Sequence, residues 1–244
     1  MDYIGQNLDM EILAKTDVGQ KRSRNEDNFI HLSKSIGEID AVLGVADGMG
    51  GHAAGDVASR IAAETFEEVF SSTDVGHGQI KDLLNDTFSM ANEKIVKKGK
   101  TNSEGSMGTT CTVAIFIGGE CHIGHVGDSR AYLMRDGDLK QLTDDHSWVA
   151  QLVKDGHITL EQARVHPNRN VITKALGIDD DVESDFLKLE INSGDRLLIC
   201  SDGLHGLVED SIICDILREG SIEEMVDRLI GEANDNGGHD NITV

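Results

Sequence analysis

Apolar residues recur along this chain in two different rhythms. Between residues 57 and 95 they return every three or four positions, which predicts two consecutive amphipathic helices. Elsewhere they gather in short runs bounded by glycine or polar residues, as buried strands between turns do. The predicted strands are residues 41–46, 111–117, 121–126, 131–135 and 196–200.

The remaining segments complete this outline. Asp136-Gly-Asp138 predicts the turn of a hairpin, and two further helices are predicted near 209–218 and 222–234. Residues 147–176 are polar and mixed, with two short helical patterns and Pro167, the only proline. Strand runs separated by a helix pair favour antiparallel sheets with helices packed outside.

Length and composition favour one domain spanning 1–244. The 244 residues contain no Pro/Gly/Ser-rich linker, low-complexity tract or internal repeat. No apolar stretch approaches the roughly 20 residues of a membrane span, and the N-terminus lacks the pattern of a secretory signal. All four cysteines lie in or beside apolar segments, which favours buried, reduced thiols. We therefore expect a cytoplasmic protein without a membrane partner.

The chain is strongly acidic. Its 22 basic and 44 acidic residues give a formal net charge of −22. Such a field repels nucleic acid and anionic lipid, so neither is an expected partner. Most of the excess is typical of a solvated surface, and a minority of the carboxylates could be metal ligands.

Five short segments place an acidic residue beside glycine or asparagine, three of them directly after apolar runs. They are residues 22–27, 45–51, 126–130, 201–203 and 240–243. Carboxylates at strand ends, with glycine allowing close backbone approach, can converge on hard divalent cations. This pattern predicts a metal-dependent hydrolase.

In the order and spacing of these segments the chain resembles the metal-dependent PP2C (PPM) protein serine/threonine phosphatases, in particular their bacterial branch. The resemblance runs from residues 17–22 to 240–244, and segments 142–147 and 171–177 also fit. It implies an α+β fold, a four-layer α/β/β/α sandwich of two antiparallel β-sheets flanked by helices. It also implies a monomer whose residues 147–176, the flap segment, select the protein substrate.

The resemblance assigns most of the metal ligands. Asp47 would bridge two core Mn²⁺ or Mg²⁺ ions, and the Gly48 carbonyl would bind one of them. Asp202 and Asp240 match the second and third ligand positions. Asp128 matches a position linked to a weaker third ion, although second-shell support and an ion pair with Arg130 are alternatives.

Two adjacent carboxylates remain undecided at this point. Glu26 and Asp27 would face opposite sides of an extended strand, so both cannot reach one ion without a bend. The family places a direct or water-mediated ligand here, and both residues stay candidates. Asp144 or Asp145 could give further support.

Substrate contacts are expected from a basic residue and a histidine. A guanidinium matches two phosphoryl oxygens, and the family pattern selects Arg22 over Lys21 and Arg24. His52 lies three residues beyond the position where animal relatives carry a histidine taken as the general acid. Leaving-group protonation by His52 is therefore weighed against a structural or substrate-contacting role. His146 is expected to be a structural hydrogen-bonding residue.

The implied reaction is direct hydrolysis of phosphoserine and phosphothreonine in proteins by metal-activated water. The implied partners are phosphoproteins modified by a Hanks-type Ser/Thr kinase. Oxygen ligands favour Mn²⁺ or Mg²⁺ over Zn²⁺. Two other classes were weighed: a metal-dependent nuclease, which the charge disfavours, and a catalytically weak signalling or binding module of the same fold.

Overall fold

The computed structural model describes residues 10–33, 37–50, 54–101 and 107–244. The strands are β1 (Thr16–Asp17), β2 (Asp27–Leu32), β3 (Ile39–Gly50), β4 (Met107–Thr109), β5 (Cys111–Ile117), β6 (Glu120–Val126), β7 (Arg130–Arg135), β8 (Asp138–Gln141), β9 (Asp185–Glu190), β10 (Arg196–Cys200) and β11 (Ile242–Thr243). The helices are α1 (Ala54–Ser72), α2 (Ile80–Thr101), α3 (Trp148–Lys154), α4 (Leu160–Arg164), α5 (Asp202–His205), α6 (Asp210–Arg218) and α7 (Ile222–Asp235).

The strands form two main antiparallel sheets. The first has the order β2-β3-β5-β6-β9, with β4 paired to the end of β3, and the second has the order β10-β7-β8. A short pair, β1 with β11, lies beside the second sheet through a hydrogen bond from Ser201 N to Thr243 O, 3.0 Å. Every strand pair is antiparallel, as the sequence predicts.

Three apolar clusters define the layers. One joins α1 and α2 to the outer face of the first sheet and includes Phe66 and Phe88, whose rings meet edge to face. A second lies between the sheets, around Phe116 and Ile123. A third packs α6 and α7 against β7 and β10. The expected four-layer α/β/β/α sandwich is confirmed.

Local sequence signals locate most elements closely. Strand β5 has the predicted bounds, and its seven residues are all buried because each face packs against a neighbouring layer. Asp136 and Gly137 connect β7 to β8 with φ of 55° and 86°, as a two-residue hairpin turn requires. Both short helical patterns in the flap segment are helices, α3 and α4.

One expectation about a strand end is wrong. The apolar run at 41–46 predicts that Asp47 follows its strand, whereas β3 continues through Asp47 to Gly50. The extension forms because β4 pairs with Gly48–Gly50 and supplies partners for that backbone. Strands β2, β4 and β9 are not among the predicted strands either, and neither is the pairing of β1 with β11. In the described ranges, no helix is long and apolar enough to cross a membrane.

Candidate active site

Two carboxylates meet across the β2–β3 pair. Asp27 and Asp47 are direct partners in the antiparallel register. Just beyond, Gly48 N donates to Glu26 O at 3.1 Å, and a Cβ at Gly48 would lie 2.2 Å from the Gly55 carbonyl oxygen. Only glycine lets the start of α1 approach β3 this closely, and this contact positions the backbone beside Asp47.

Asp27 connects this strand pair to the second sheet. Its Oδ2 accepts hydrogen bonds from Ser201 Oγ at 2.8 Å and from Thr243 Oγ1 at 2.7 Å. Ser201 follows β10 and precedes Asp202, the first residue of α5, while Thr243 lies in β11, shortly after Asp240. Side-chain contacts of Asp27 therefore hold the segments that carry Asp202 and Asp240 beside Asp47.

Asp128 joins the group from the β6–β7 connection. It is 5% exposed, and its Oδ1 is buried without a hydrogen-bond partner among the described residues. Burial raises its pKa to about 7, with a further contribution from Asp145. The alternative Asp128–Arg130 pair is not the arrangement observed, because Arg130 donates to Asp145 at 2.8 and 2.7 Å and to Tyr132 OH at 2.9 Å.

Burial and mutual repulsion together raise the pKa values of these carboxylates, with burial as the larger cause. Burial, then the charges of Asp27, Asp202, Asp128 and Asp240, raises the pKa of Asp47 well above its ordinary value. The same causes raise the pKa of Asp202, where burial comes first and Asp128 is the largest neighbour. Like charges brought together in a low dielectric are unfavourable unless a cation neutralises them.

The donor set fits divalent cations. It consists of carboxylate oxygens, and the Oδ1 atoms of Asp128 and Asp202 are buried without partners in the described part of the chain. Hard cations that prefer oxygen, such as Mn²⁺ and Mg²⁺, suit such a set.

The carboxylates lie near one another, but their oxygens do not surround one common position. Across the described ranges, no three His, Cys, Asp or Glu side chains have the arrangement of a finished metal site. Asp27 accepts hydrogen bonds from hydroxyl groups, and Asp240 pairs with the Arg22 guanidinium. The clustered carboxylate charges, and the two buried oxygens without a hydrogen-bond partner in the described part of the chain, indicate that the site binds cations.

Arg22 lies at the rim of the group. Its Nη2 donates to Asp240 Oδ2 at 2.7 Å, and this bond raises the pKa of the guanidinium. Half of the Arg22 side chain is exposed, at 51%. Lys21 and Arg24, the competing candidates, are exposed on the same turn, and neither side chain has a hydrogen bond to Asp240.

The adjacent residues Glu26 and Asp27 have different surroundings. Asp27 is buried and its Oδ2 accepts from two hydroxyl groups, whereas Glu26 is half-buried, and its pKa is raised by burial. Arg22 and Asp240 also influence the Glu26 carboxyl, so it faces the rim of the site. The structure thus places Asp27 beneath the other carboxylates and Glu26 at their edge.

Only one of the two histidines named in the sequence analysis lies among the described residues. His52 lies outside the described residues, so its predicted role stays a prediction. His146 is a hydrogen-bonding residue of the framework, since its Nδ1 accepts from Gly127 N at 3.0 Å and its backbone N donates to Gly127 O at 2.7 Å. These bonds hold the 142–148 loop against the residue that precedes Asp128.

The cysteines are not nucleophiles here. All four are buried and unpaired, as expected from their apolar neighbourhoods. Burial raises the pKa of Cys121 and of Cys200 to about 12, so these thiols stay protonated near neutrality.

Sequence reasoning missed several residues that hold the site together. Asn241 Oδ1 accepts from Glu26 N at 2.8 Å, and its Nδ2 donates to Val18 O and Arg24 O at 3.0 and 2.9 Å. Asn241 therefore fastens the Arg22 turn to the C-terminal strand. Its place beside Asp240 in the last acidic segment was the available signal. Ser201 and Thr243 likewise lie in acidic segments, 201–203 and 240–243, but nothing in those segments indicated their contact with Asp27.

The five carboxylates are buried or half-buried, and Asp27 and Asp128 are each only 5% exposed. A cleft of about 830 Å³ lies elsewhere, between residues 10–14 and β10, and none of the five carboxylates lines it.

Comparisons with known proteins agree on one family. The family model for protein phosphatase 2C matches residues 19–241. Protein phosphatase PhpP of Streptococcus pneumoniae serotype 2 is 38% identical over 237 residues, covering 96% of each chain.

Solved structures give the same result. The serine/threonine phosphatase of S. agalactiae superposes with a TM-score of 0.91 at 35% identity, covering 96% of both chains. The catalytic domain of the serine/threonine protein phosphatase PstP, in complex with two manganese ions, superposes with a TM-score of 0.83 at 36% identity, covering 95% of this chain and 94% of that one. With its fold, its clustered carboxylates and a family match over most of its length, the chain belongs to the protein phosphatase 2C family.

Proposed function

We propose that the carboxylate group formed by Asp27, Asp47, Asp128, Asp202 and Asp240 is the catalytic centre of a protein serine/threonine phosphatase. Membership of the family makes the protein a metal-dependent hydrolase of phosphoserine and phosphothreonine in proteins. The observation that carries the assignment is the convergence of these carboxylates from both sheets, with two buried oxygens that lack a partner among the described residues.

The ligand roles follow from position. Asp47 lies centrally, since its charge interacts with those of Asp27, Asp202, Asp128 and Asp240. Asp47, the Gly48 carbonyl, Asp202 and Asp240 would hold two core ions. When bound, such ions lower the pKa of a coordinated water and neutralise phosphoryl oxygens. Asp27 holds the two sheets together beneath the metal ligands. Glu26 would contact the bound ions through water from the rim of the site.

Arg22 would bind the substrate phosphate. In the structure it pairs with Asp240 at 2.7 Å, a carboxylate that would instead bind a cation. A phosphoryl group gives the planar guanidinium a bidentate partner of higher charge. The ion pair with Asp240 thus keeps Arg22 at the rim, where a substrate phosphoryl group can replace the Asp240 carboxylate as its partner.

Leaving-group protonation is proposed for His52. A serine or threonine alkoxide leaves poorly without a proton, whereas p-nitrophenolate leaves readily. If His52 is the general acid, His52→Ala loses far more activity on a phosphopeptide than on p-nitrophenyl phosphate. Equal losses on both substrates would reject this role.

A third, weaker ion is proposed at Asp128, whose Oδ1 has no partner in the described part of the chain. Mn²⁺ is the first choice for the core, because the PstP catalytic domain is described in complex with two manganese ions. Mg²⁺ has the same preference for oxygen ligands.

The flap segment is proposed to be a mobile element beside this centre. Its buried apolar residues are Val149, Ala175 and Leu176, and α4 has none. Few buried contacts mean low local stability. Amide hydrogen exchange is the check, and we expect protection factors in the flap segment far below those of β5. Protection as strong as in β5 would reject the flap role.

The physiological setting is proposed from the same relatives. Bacterial relatives are named protein phosphatase and serine/threonine phosphatase. We propose a monomeric cytoplasmic enzyme that reverses a Hanks-type Ser/Thr kinase. Comparing phosphoproteomes of strains with and without the protein would identify the substrates.

One assay tests the central proposal. Purified protein should hydrolyse p-nitrophenyl phosphate with Mn²⁺ and lose this activity in EDTA. It should also release phosphate from a phosphothreonine peptide. Absence of turnover on both substrates with Mn²⁺ present would favour the binding-module alternative.

A further inference from the structure

The flap segment exposes an unusual amount of apolar surface. Eight large apolar side chains are exposed in the described ranges, and four of them lie in this segment: Trp148, Leu160, Val165 and Val171. Their exposed fractions run from 47% for Trp148 and Val171 to 79% for Val165. Exposed apolar side chains in one small region are typical of an interaction surface.

Two of these exposed residues are joined through their backbones. Trp148 N donates to Val171 O at 2.8 Å, and Ser147 pairs with Ile172 in an antiparallel bridge. Trp148 and Val171 are therefore neighbours joined through their backbones, and both side chains are 47% exposed. We call these two residues the Trp148–Val171 patch.

The patch is close to the catalytic carboxylates. His146 is held to Gly127 by two hydrogen bonds of 2.7 and 3.0 Å, and Gly127 precedes Asp128. Trp148 follows His146 by two residues, so its Cα lies within about 15 Å of the Asp128 Cα. An extended peptide rises about 3.3 Å per residue, so a side chain up to about four residues from the phosphorylated one can span this separation.

The charge of the flap segment also differs from that of the protein. It contains four basic and two acidic residues, in a chain that has twice as many acidic as basic residues. Lys154 and Arg169 are exposed basic residues of this segment. The phosphorylated segment of a substrate is negatively charged. Beside the site it therefore meets a segment in which basic residues outnumber acidic ones.

We propose that the Trp148–Val171 patch binds an apolar side chain of the phosphoprotein substrate, two to four residues away from the phosphorylated serine or threonine. The inference rests on the proposed function and adds the chemical class of substrate segment. Trp148 supplies a large rigid surface, as aromatic residues at interface centres do. The phosphoryl group occupies the carboxylate site while the neighbouring apolar side chain covers the patch.

The test uses two phosphothreonine peptide pools of equal length and charge. One carries leucine at positions two to four on either side of the phosphothreonine, and the other carries serine there. The measured quantity is the ratio of their kcat/KM values for the Mn²⁺-loaded wild type, Trp148→Ala, Val171→Ser and Met90→Ala. Met90 is the matched control, since it is 41% exposed on α2, outside the flap segment.

We expect the wild type to favour the leucine pool roughly tenfold, in line with partial burial of one apolar side chain. This ratio should fall towards one in Trp148→Ala, decrease in Val171→Ser and persist in Met90→Ala. A wild-type ratio near one would overturn the inference, as would a ratio that survives both flap substitutions.

The wild type's turnover of p-nitrophenyl phosphate separates the two proposals. No turnover with Mn²⁺ means that the proposed function itself has failed. Turnover without preference between the peptide pools means that only the patch inference has failed. Because each variant is scored by a ratio of two substrates, partial loss of folded protein does not imitate the expected result.

Discussion

Asp27 on β2 and Asp47 on β3 are direct partners across an antiparallel strand pair, although both are acidic. Burial raises the pKa of Asp27 to about 6, and burial together with Asp27 raises the pKa of Asp47. Like charges directly opposite one another destabilise a sheet. The fold therefore retains an electrostatically unfavourable carboxylate pair, which a bound cation can neutralise. The metal-free protein is less stable as a result, and the pair is kept for function.

The first prediction concerns Asp47. Replacing it by asparagine should lower activity by about a hundred- to a thousandfold, since the central charge of the site is lost. In EDTA the same variant should be more stable than wild type by about 1 kcal/mol, because repulsion from four carboxylates is relieved. Denaturant unfolding in EDTA measures this difference. Asp86→Asn, on the exposed side of α2, is the control and should change neither quantity.

An Asp47→Asn variant that keeps activity within tenfold of wild type would exclude its central ligand role. Metal-free stability equal to or below wild type would show that repulsion does not govern this site.

Arg22 gives the second prediction. Arg22→Ala should raise KM for phosphopeptides about tenfold, because a charge-assisted phosphate contact is lost. Lys21→Ala and Arg24→Ala remove charge from the same exposed turn and are matched controls that should change KM much less. Steady-state kinetics at fixed ionic strength distinguishes the three. A larger effect of either control would transfer the phosphate contact to that residue.

The third prediction separates Asp128 from the core ligands. Asp128→Asn should weaken the binding of one ion and reduce turnover about tenfold, while the two core ions remain bound. Equilibrium dialysis with metal analysis counts the ions. Asp138→Asn, in the hairpin at the far end of β7, is the control and should leave the count unchanged. Loss of all bound metal in Asp128→Asn would make Asp128 a core ligand instead.

His125 provides a pH-dependent prediction outside the ligand group. This histidine is 1% exposed, with Nε2 3.0 Å from the Asp144 carbonyl oxygen and Nδ1 2.8 Å from Thr112 Oγ1. Neutral imidazole satisfies both contacts if Nε2 donates to the carbonyl and Nδ1 accepts from the hydroxyl. Burial, followed by the nearby His146, lowers its pKa from 6.5 to about 4.

The sign of the effect follows from proton counts. Between pH 6.5 and about 4 the unfolded chain binds a proton at this position that the folded protein does not. The free energy of unfolding therefore falls as pH falls through this window, by up to about 3 kcal/mol, and His125 contributes no pH dependence above it. His125→Asn should remove this slope, whereas His157→Asn, exposed in the flap segment, should retain it. Urea unfolding in EDTA across this range is the measurement, and equal slopes in wild type and His125→Asn would contradict the prediction.

Much of the fold follows from local pattern. The predicted bounds of β5 are those observed, and the turn at Asp136 and Gly137 was expected from its residues alone. Such features depend on side-chain periodicity and on backbone preferences within a few residues. Strand β9 was missed because its burial is partial and its sequence includes charged residues, so its apolar signal is weak.

The order of the acidic segments was likewise sufficient to identify the family and to name the candidate carboxylate ligands. What the sequence by itself determined is therefore most of the elements, the family and the candidate ligands. Each of these is recorded in neighbouring residues or in the order of short motifs.

Only the tertiary structure decided how those residues meet. Asp27 accepts hydrogen bonds from Ser201 and Thr243, which are 174 and 216 positions away, and Arg22 pairs with Asp240 across 218 positions. Arg130 turns to Asp145 and leaves Asp128 Oδ1 without a partner in the described chain. These choices depend on sheet register and on competition among charges brought together by folding, and no periodicity along the chain encodes either of them.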